Sequence, residues 1–371
     1  MSLSPDFCRR RQQRVLAEMD RLGVSRLVVT RPEHVQYLTA FRPHYLMASI
    51  ACLESSGTMT LIAPNHSPEN TAADQIATYE AQWHSTLRPE QHAAAAKALS
   101  KLLAGVPTEK LAVDASLTGL HTLKAAGCQG NLVDVVDLEP VIWQLRRRKD
   151  KDELALMQKA IDCTQAMYER AREIIEPGVH ELDVFSELQS VAVATAGEPL
   201  SALLGNDFQC NSRGGPPRDN RAEAGQLYIL DLGPCYRGYY ADNCRTISVD
   251  RDPTPLQIQA WELIQEVFAL IEREVQPRAN AKQVYQQVND LLAGFQQGEF
   301  PHHLGHGVGL YPHEAPHLNP HWDDLFEEGD VFTVEPGLYS DALAHGMRLE
   351  NNYRVTSDGV QLLTPFSLEL V

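Results

Sequence analysis

Leu227-Tyr-Ile-Leu-Asp231-Leu-Gly-Pro-Cys-Tyr-Arg-Gly-Tyr-Tyr-Ala-Asp242-Asn-Cys-Arg-Thr-Ile-Ser248 reads as a strand, a turn and a second strand. An apolar run leads straight into Asp231, Arg237-Gly238 supplies the turn, and the second strand carries Asp242. A hairpin of this kind can set both carboxylates side by side. Two carboxylates on one face repel unless they are protonated or bridged by a cation, and a metal is the simplest remedy. Taken alone, the stretch is as well explained by two solvated aspartates, because Asp is common near turns.

Two segments further along shift that balance. Pro301-His302-His303-Leu-Gly305-His306-Gly307-Val-Gly309-Leu-Tyr-Pro-His313-Glu314 gathers four histidines in a glycine-rich run, where small residues let the backbone approach a ligand. One histidine would more often be an ordinary core or surface residue. Gly329-Asp-Val-Phe-Thr-Val-Glu335-Pro-Gly then ends a strand on an acid, and Gly346-Met-Arg348-Leu-Glu350-Asn-Asn carries another in an alternating stretch. Acids set in apolar strands are costly to bury unpaired, so a counter-cation is expected; Arg348 is the alternative partner.

Outward from these segments the chain divides in two. Its 371 residues exceed what one core commonly organises. Residues 1–145 alternate helix and strand signals, with a strand over Arg26-Leu-Val-Val-Thr30. A hairpin is expected from 48–53 and 58–62 through Gly57, and later elements at 92–103, 111–114, 117–126 and 132–135 continue the alternation, so this part reads as an α/β unit. Arg146-Arg147-Arg148-Lys149 is a polar break, after which Asp150 and Glu153 have the spacing of a helix start. Residues 146–371 mix helices with hairpin-joined strands and suit an α+β domain.

Composition narrows the classes. The net charge of −17 repels phosphate backbones and anionic lipid, so no nucleic-acid partner is expected. No apolar run approaches the roughly 18–20 residues of a membrane helix, and the first residues lack a signal-peptide core. A cytoplasmic protein without a membrane partner is the expectation. Seven scattered cysteines without a CxxC pair point to neither a disulfide framework nor a thiolate zinc site.

Together, the three segments resemble, in order and local context, the pita-bread family of methionine aminopeptidase, aminopeptidase P and prolidase, shared with creatinase. The N-terminal half resembles the smaller creatinase-type domain, which places the likeness in the aminopeptidase P and prolidase branch. The resemblance implies a pita-bread α+β catalytic domain over 146–371, preceded by an α/β creatinase-type domain over 1–145. It implies five ligands for two divalent metal ions: Asp231, Asp242, His306, Glu335 and Glu350. Asp242 and Glu350 would bridge the ions, Asp231 would serve one, and His306 with Glu335 the other. One imidazole and four carboxylates suit Mn²⁺ first, with Co²⁺, Zn²⁺ or Fe²⁺ as alternatives.

By the same resemblance, a water held between the ions becomes a metal-bridging hydroxide that attacks an amide, with Glu335 handling the proton. His302 and His313 would steady the substrate and the tetrahedral intermediate, and Arg348 would orient the neighbouring acids. The implied function is an Xaa-Pro dipeptidase or aminopeptidase P-like peptidase acting on a small peptide, and a homodimer. Peptidases of this branch carry a further histidine about 17 residues before the first metal aspartate; here that position is Gly214, and Arg213 or Arg218 is the nearest candidate for a compensating role. That departure keeps two alternatives open: a non-peptidase metal-dependent hydrolase or lyase of a small molecule, and a non-catalytic binding relative.

Overall fold

Asp150 and Glu153 close a capping box around the helix Lys151–Ile174, as their spacing predicts. The Asp150 N–H donates to Glu153 Oε2 at 2.9 Å. Ile175 turns the chain into an extended conformation two residues before Pro177. The computed structural model describes residues 2–128, 135–202 and 205–371, and these fall into two units that divide between Arg146 and Arg147.

The first unit is built on a six-stranded mixed sheet in the order 75–79, 59–64, 50–54, 26–29, 111–113, 136–137. Arg26–Val29 runs antiparallel to Ile50–Glu54 and parallel to Leu111–Val113, so the sheet is mixed rather than purely parallel. The expected hairpin forms between Ile50–Glu54 and Met59–Pro64, with Gly57 at φ 91° in the turn. The helices expected at 92–103 and 117–126 are Gln91–Leu102 and Leu120–Ala125. Of the strand read at 132–135, residues 132–134 lie outside the described residues. A helix at Pro32–Thr39 had no sequence signal beyond a proline at its start, because eight residues are too few to display a helical period. Val28, Ile50, Cys52, Ile62, Leu99 and Val113 form the centre of this unit's core.

The second unit packs its helices around antiparallel sheets. One sheet is three-stranded, with Leu227–Leu232 between Asn243–Ser248 and Gly205–Cys210. A second, larger one is five-stranded and includes Gly305–Gly307, Val331–Val334 and Asn351–Val355, and two further sheets are two-stranded. Arg237 and Gly238 both have positive φ, 48° and 93°, which is the two-residue turn that matches strand twist. Asp242 lies one residue before the Asn243–Ser248 strand rather than inside it. The Tyr168 hydroxyl, on the Lys151–Ile174 helix, lies 3.1 Å from the Leu230 carbonyl and 2.5 Å from that of Asn243. One buried side chain therefore fixes the backbone beside both aspartates. Among the described residues, no helix is long and apolar enough to cross a membrane.

Candidate metal centre

Register across the three-stranded sheet positions the first acids. Asp231 pairs directly with Cys244 on one side and with Asp207 on the other. Directly opposed residues of an antiparallel pair share a face, so Asp207 and Asp231 point the same way, and Asp242 lies two residues from Cys244. The five-stranded sheet is tied to this one through backbone. Asn243 donates its side-chain N–H to the Glu350 carbonyl at 2.5 Å, and the Glu350 N–H donates to the Cys244 carbonyl at 2.9 Å. The Asn352 side-chain N–H donates to the Asp242 carbonyl. Glu335 and His306 are locked to each other's strands: the Glu335 N–H donates to the Leu304 carbonyl at 2.8 Å and the His306 N–H to Thr333 Oγ1 at 3.2 Å.

All eight residues nominated from the sequence line one cavity of about 270 Å³, joined there by Asp207 and His303. Ligand-type oxygens of Asp231, Asp242 and Glu350 lie within 4.8 Å of one another. His306 Nε2 is 3.7 Å from Asp242 Oδ2 and 3.4 Å from Glu335 Oε1. Its Nδ1 is 3.0 Å from the Gly307 carbonyl, which only an Nδ1–H can satisfy. With Nδ1 so engaged, Nε2 faces the two carboxylates and is the ring atom placed to ligate a metal ion beside them. Both Glu350 carboxylate oxygens are buried and make no hydrogen bond, and the residue is 1% exposed. Such an orphaned acid is the clearest sign that this donor set fits metal ions.

The electrostatics of the bare protein agree. Burial pushes Asp231 up to about 6, with Arg348 opposing the rise and Asp207 and Glu335 adding repulsion. Burial first, and then the neighbouring acids, holds Asp242 and Glu350 well above the usual carboxylate range. Glu335 moves the other way: burial works to raise it, but hydrogen bonds from His303 and His306 outweigh burial and hold it well below. Burial lowers His302 and His313 to about 4, so both are neutral imidazoles near pH 7.

Other contacts refine the sequence reading. Arg348 is not the partner of the two glutamates; its Nη2 donates to Asp207 and, at 2.8 Å, to Asp231 Oδ2, while Nη1 donates to the Tyr339 hydroxyl at 3.0 Å. The Tyr339 hydroxyl is 3.0 Å from His302 Nε2, and His302 Nδ1 is 2.7 Å from the His303 carbonyl, so both ring nitrogens of His302 are engaged. His313 stacks on His306 with ring centroids 3.8 Å apart. Arg218 is committed elsewhere, bonded at two nitrogens to the buried Glu181. Arg213 lies over the Tyr339 ring and pairs with the exposed Glu299. Asp207, His303 and Tyr339 were not singled out from the sequence. His303 stood inside the histidine run, whereas Asp207 is revealed only by its register opposite Asp231.

Residues 155–357 match the family model for metallopeptidase family M24, and residues 11–148 match that of the creatinase/prolidase N-terminal domain. The chain belongs to metallopeptidase family M24. It is a metallopeptidase, with a creatinase-type N-terminal domain ahead of the pita-bread domain expected from the sequence. An Xaa-Pro dipeptidase of Pyrococcus horikoshii is 25% identical over 99% of this M24 chain and 100% of its own length. One from Pyrococcus furiosus is 29% identical over 66% of this chain and 70% of its own. The crystal structure of the prolidase from Pyrococcus horikoshii has the same fold, with a TM-score of 0.80 over 98% of this chain and 100% of that one at 24% identity.

Proposed function

We propose that this M24 chain is a dinuclear metal-dependent peptidase cleaving the bond next to proline in small peptides, as an Xaa-Pro dipeptidase or an aminopeptidase P-like enzyme. The observation that carries it is the orphaned Glu350 carboxylate at the centre of a donor set of one imidazole and four acids. Asp231, Asp242, His306, Glu335 and Glu350 would hold two divalent ions. When bound, the ions would activate water and polarise the scissile carbonyl. The names of the full-length relatives support the substrate class. Mn²⁺ as the native ion, a homodimer and a cytoplasmic location belong to the same proposal, on the strength of the family resemblance.

The chain's own side chains have distinct tasks in this reading. Glu335, held ionised by His303 and His306, accepts a proton and returns it to the leaving nitrogen. His313, kept neutral and stacked on His306, offers a ring N–H to the substrate oxygen that gains charge. His302 braces Tyr339, and Tyr339 in turn receives a hydrogen bond from Arg348. One observation favours a second reading, hydrolysis of a small non-peptide amide: Gly214 removes an imidazole that peptidases of the branch carry.

Metal content of the purified protein, followed by hydrolysis of Xaa-Pro dipeptides and longer Xaa-Pro peptides with Mn²⁺ and with chelator, tests the proposal. Two ions per chain and chelator-sensitive cleavage are expected. Two ions without cleavage of any Xaa-Pro peptide would move the function to the small amide, and a protein that takes up no metal would overturn both.

A further inference from the structure

Asp207 stands directly opposite Asp231 across two antiparallel strands, and like charges in that relation repel. The structure answers with one cation: Arg348 Nη2 donates to Asp207 Oδ2 and to Asp231 Oδ2 together. The other Asp207 oxygen accepts the Gly215 N–H at 2.5 Å, which fixes the carboxylate on the loop that follows its strand. Gly214, at φ 127°, lies against the same carboxylate. A Cβ on Gly214 would collide with Oδ2 and would stand 2.6 Å from Cγ and 2.8 Å from Oδ1. The space that a side chain at position 214 would enter is therefore filled by Asp207, and the missing imidazole and the unforeseen acid are two aspects of one arrangement.

We propose that Asp207 is a positioning residue of the metal centre: it pins the Arg348 guanidinium to one oxygen of Asp231 and so fixes the orientation in which Asp231 meets Asp242 and Glu350. This role of Asp207 rests on the metal-ligand reading of the proposed function. A guanidinium is a fixed fork that prefers two acceptors. With Asp207 present it is shared between two acids and held at the edge of the centre. Without Asp207 its full charge bears on Asp231, which draws that carboxylate away from any cation it is to bind. Groups that orient a metal ligand in this way strengthen its binding without touching the ion.

Calorimetric titration of the metal-stripped full chain with Mn²⁺ tests the role. Asp207→Asn keeps an oxygen for the Gly215 N–H and loses the charge that holds Arg348, whereas Asp207→Ala loses both. Each variant is expected to weaken Mn²⁺ binding by about 10- to 100-fold. The loss from Asp207→Asn should disappear in an Arg348→Gln background, where there is no guanidinium to hold. A wild-type affinity for Asp207→Asn, with loss confined to Asp207→Ala, would make Asp207 only a loop anchor and overturn the proposal. An equal loss in both Arg348 backgrounds would overturn it too, since only the plain charge would then matter. Thermal unfolding identifies folded variants; if Asp207→Asn does not fold, Asp207→Ser, which can still accept from Gly215, takes its place in the cycle. A wild type that binds no Mn²⁺ removes the metal reading and this role with it. A wild type that binds Mn²⁺ no more tightly than Asp207→Asn removes only the role of Asp207.

Discussion

Replacing Glu350 by Gln separates a metal ligand from a structural acid, because the two assignments predict different melting curves. Glu350 is buried, its oxygens have no hydrogen-bond partner, and burial with the nearby Asp242 keeps it protonated in the metal-free protein. A protonated Glu and a Gln are nearly isosteric, so metal-free Glu350→Gln should differ from wild type by roughly 1 kcal/mol or less. The unit that carries the site spans Arg147–Val371, a size at which about 1 kcal/mol moves Tm by about 2–4 °C. Mn²⁺ at about one hundred times its Kd stabilises a one-site protein by about 2.7 kcal/mol. The wild-type Tm should thus rise by about 5–11 °C on adding Mn²⁺. A ligand change that weakens binding about 100-fold leaves about 0.4 kcal/mol at the same Mn²⁺ concentration, a shift of about 1–2 °C. Thermal unfolding by circular dichroism, with Mn²⁺ and with chelator, reads all four curves. A Glu350→Gln variant that keeps the full Mn²⁺ shift would refute the ligand assignment, and a metal-free Tm lower by more than about 10 °C would make Glu350 a structural residue instead.

Asp231, Asp242 and Glu350 are all raised, so the metal-free site holds protons near neutrality that Mn²⁺ must displace. Mn²⁺ affinity should therefore rise with pH with net proton release, seen as a dependence of the calorimetric heat on the buffer's ionisation enthalpy; no such dependence would count against the shared site. The same shifts set the stability of the metal-free protein. Acids whose folded pKa is raised bind more protons folded than unfolded, so their contribution to stability is lost as pH rises, for Asp231 from about 4 to about 6, a window in which the lowered His302 and His313 contribute with the opposite sign. Chelator-treated unfolding midpoints across that range should therefore fall more steeply with pH in wild type than in Asp231→Asn, and an equal slope would refute the raised pKa. Asp242→Ala should lower peptide hydrolysis at least about 100-fold and lower metal occupancy with it, measured on one preparation. Away from the centre, Arg147 donates to the fully buried Asp330 at 2.7 Å. Arg147→Met leaves that acid without its cation and should cost about 3–5 kcal/mol in urea unfolding, whereas a loss under about 1 kcal/mol would show that Asp330 is neutral in the native state.

Local chemistry made much of the site legible before any tertiary structure. An apolar strand ending on Asp231, a glycine-rich histidine run around His306, and Glu335 ahead of Pro336-Gly337 each carry their signal within a few residues. The start of the Lys151–Ile174 helix was readable for the same reason, since a capping box is a four-residue event. What the sequence could not convey depends on which strands lie side by side. Asp207 sits 24 positions before Asp231 in a stretch with no motif, and only the pairing of Gly205–Cys210 with Leu227–Leu232 sets the two carboxylates opposite each other. The partner of Arg348 was equally hidden: read locally it belongs to Glu335 and Glu350, whereas the folded sheet turns it to Asp207 and Asp231. The family and the residue types gathered at the candidate site are legible without a fold, because they are encoded in short contiguous patterns. The tertiary structure decided how their charges are balanced and what fills the space at Gly214, because both follow from strand register, which brings together residues that no local pattern connects.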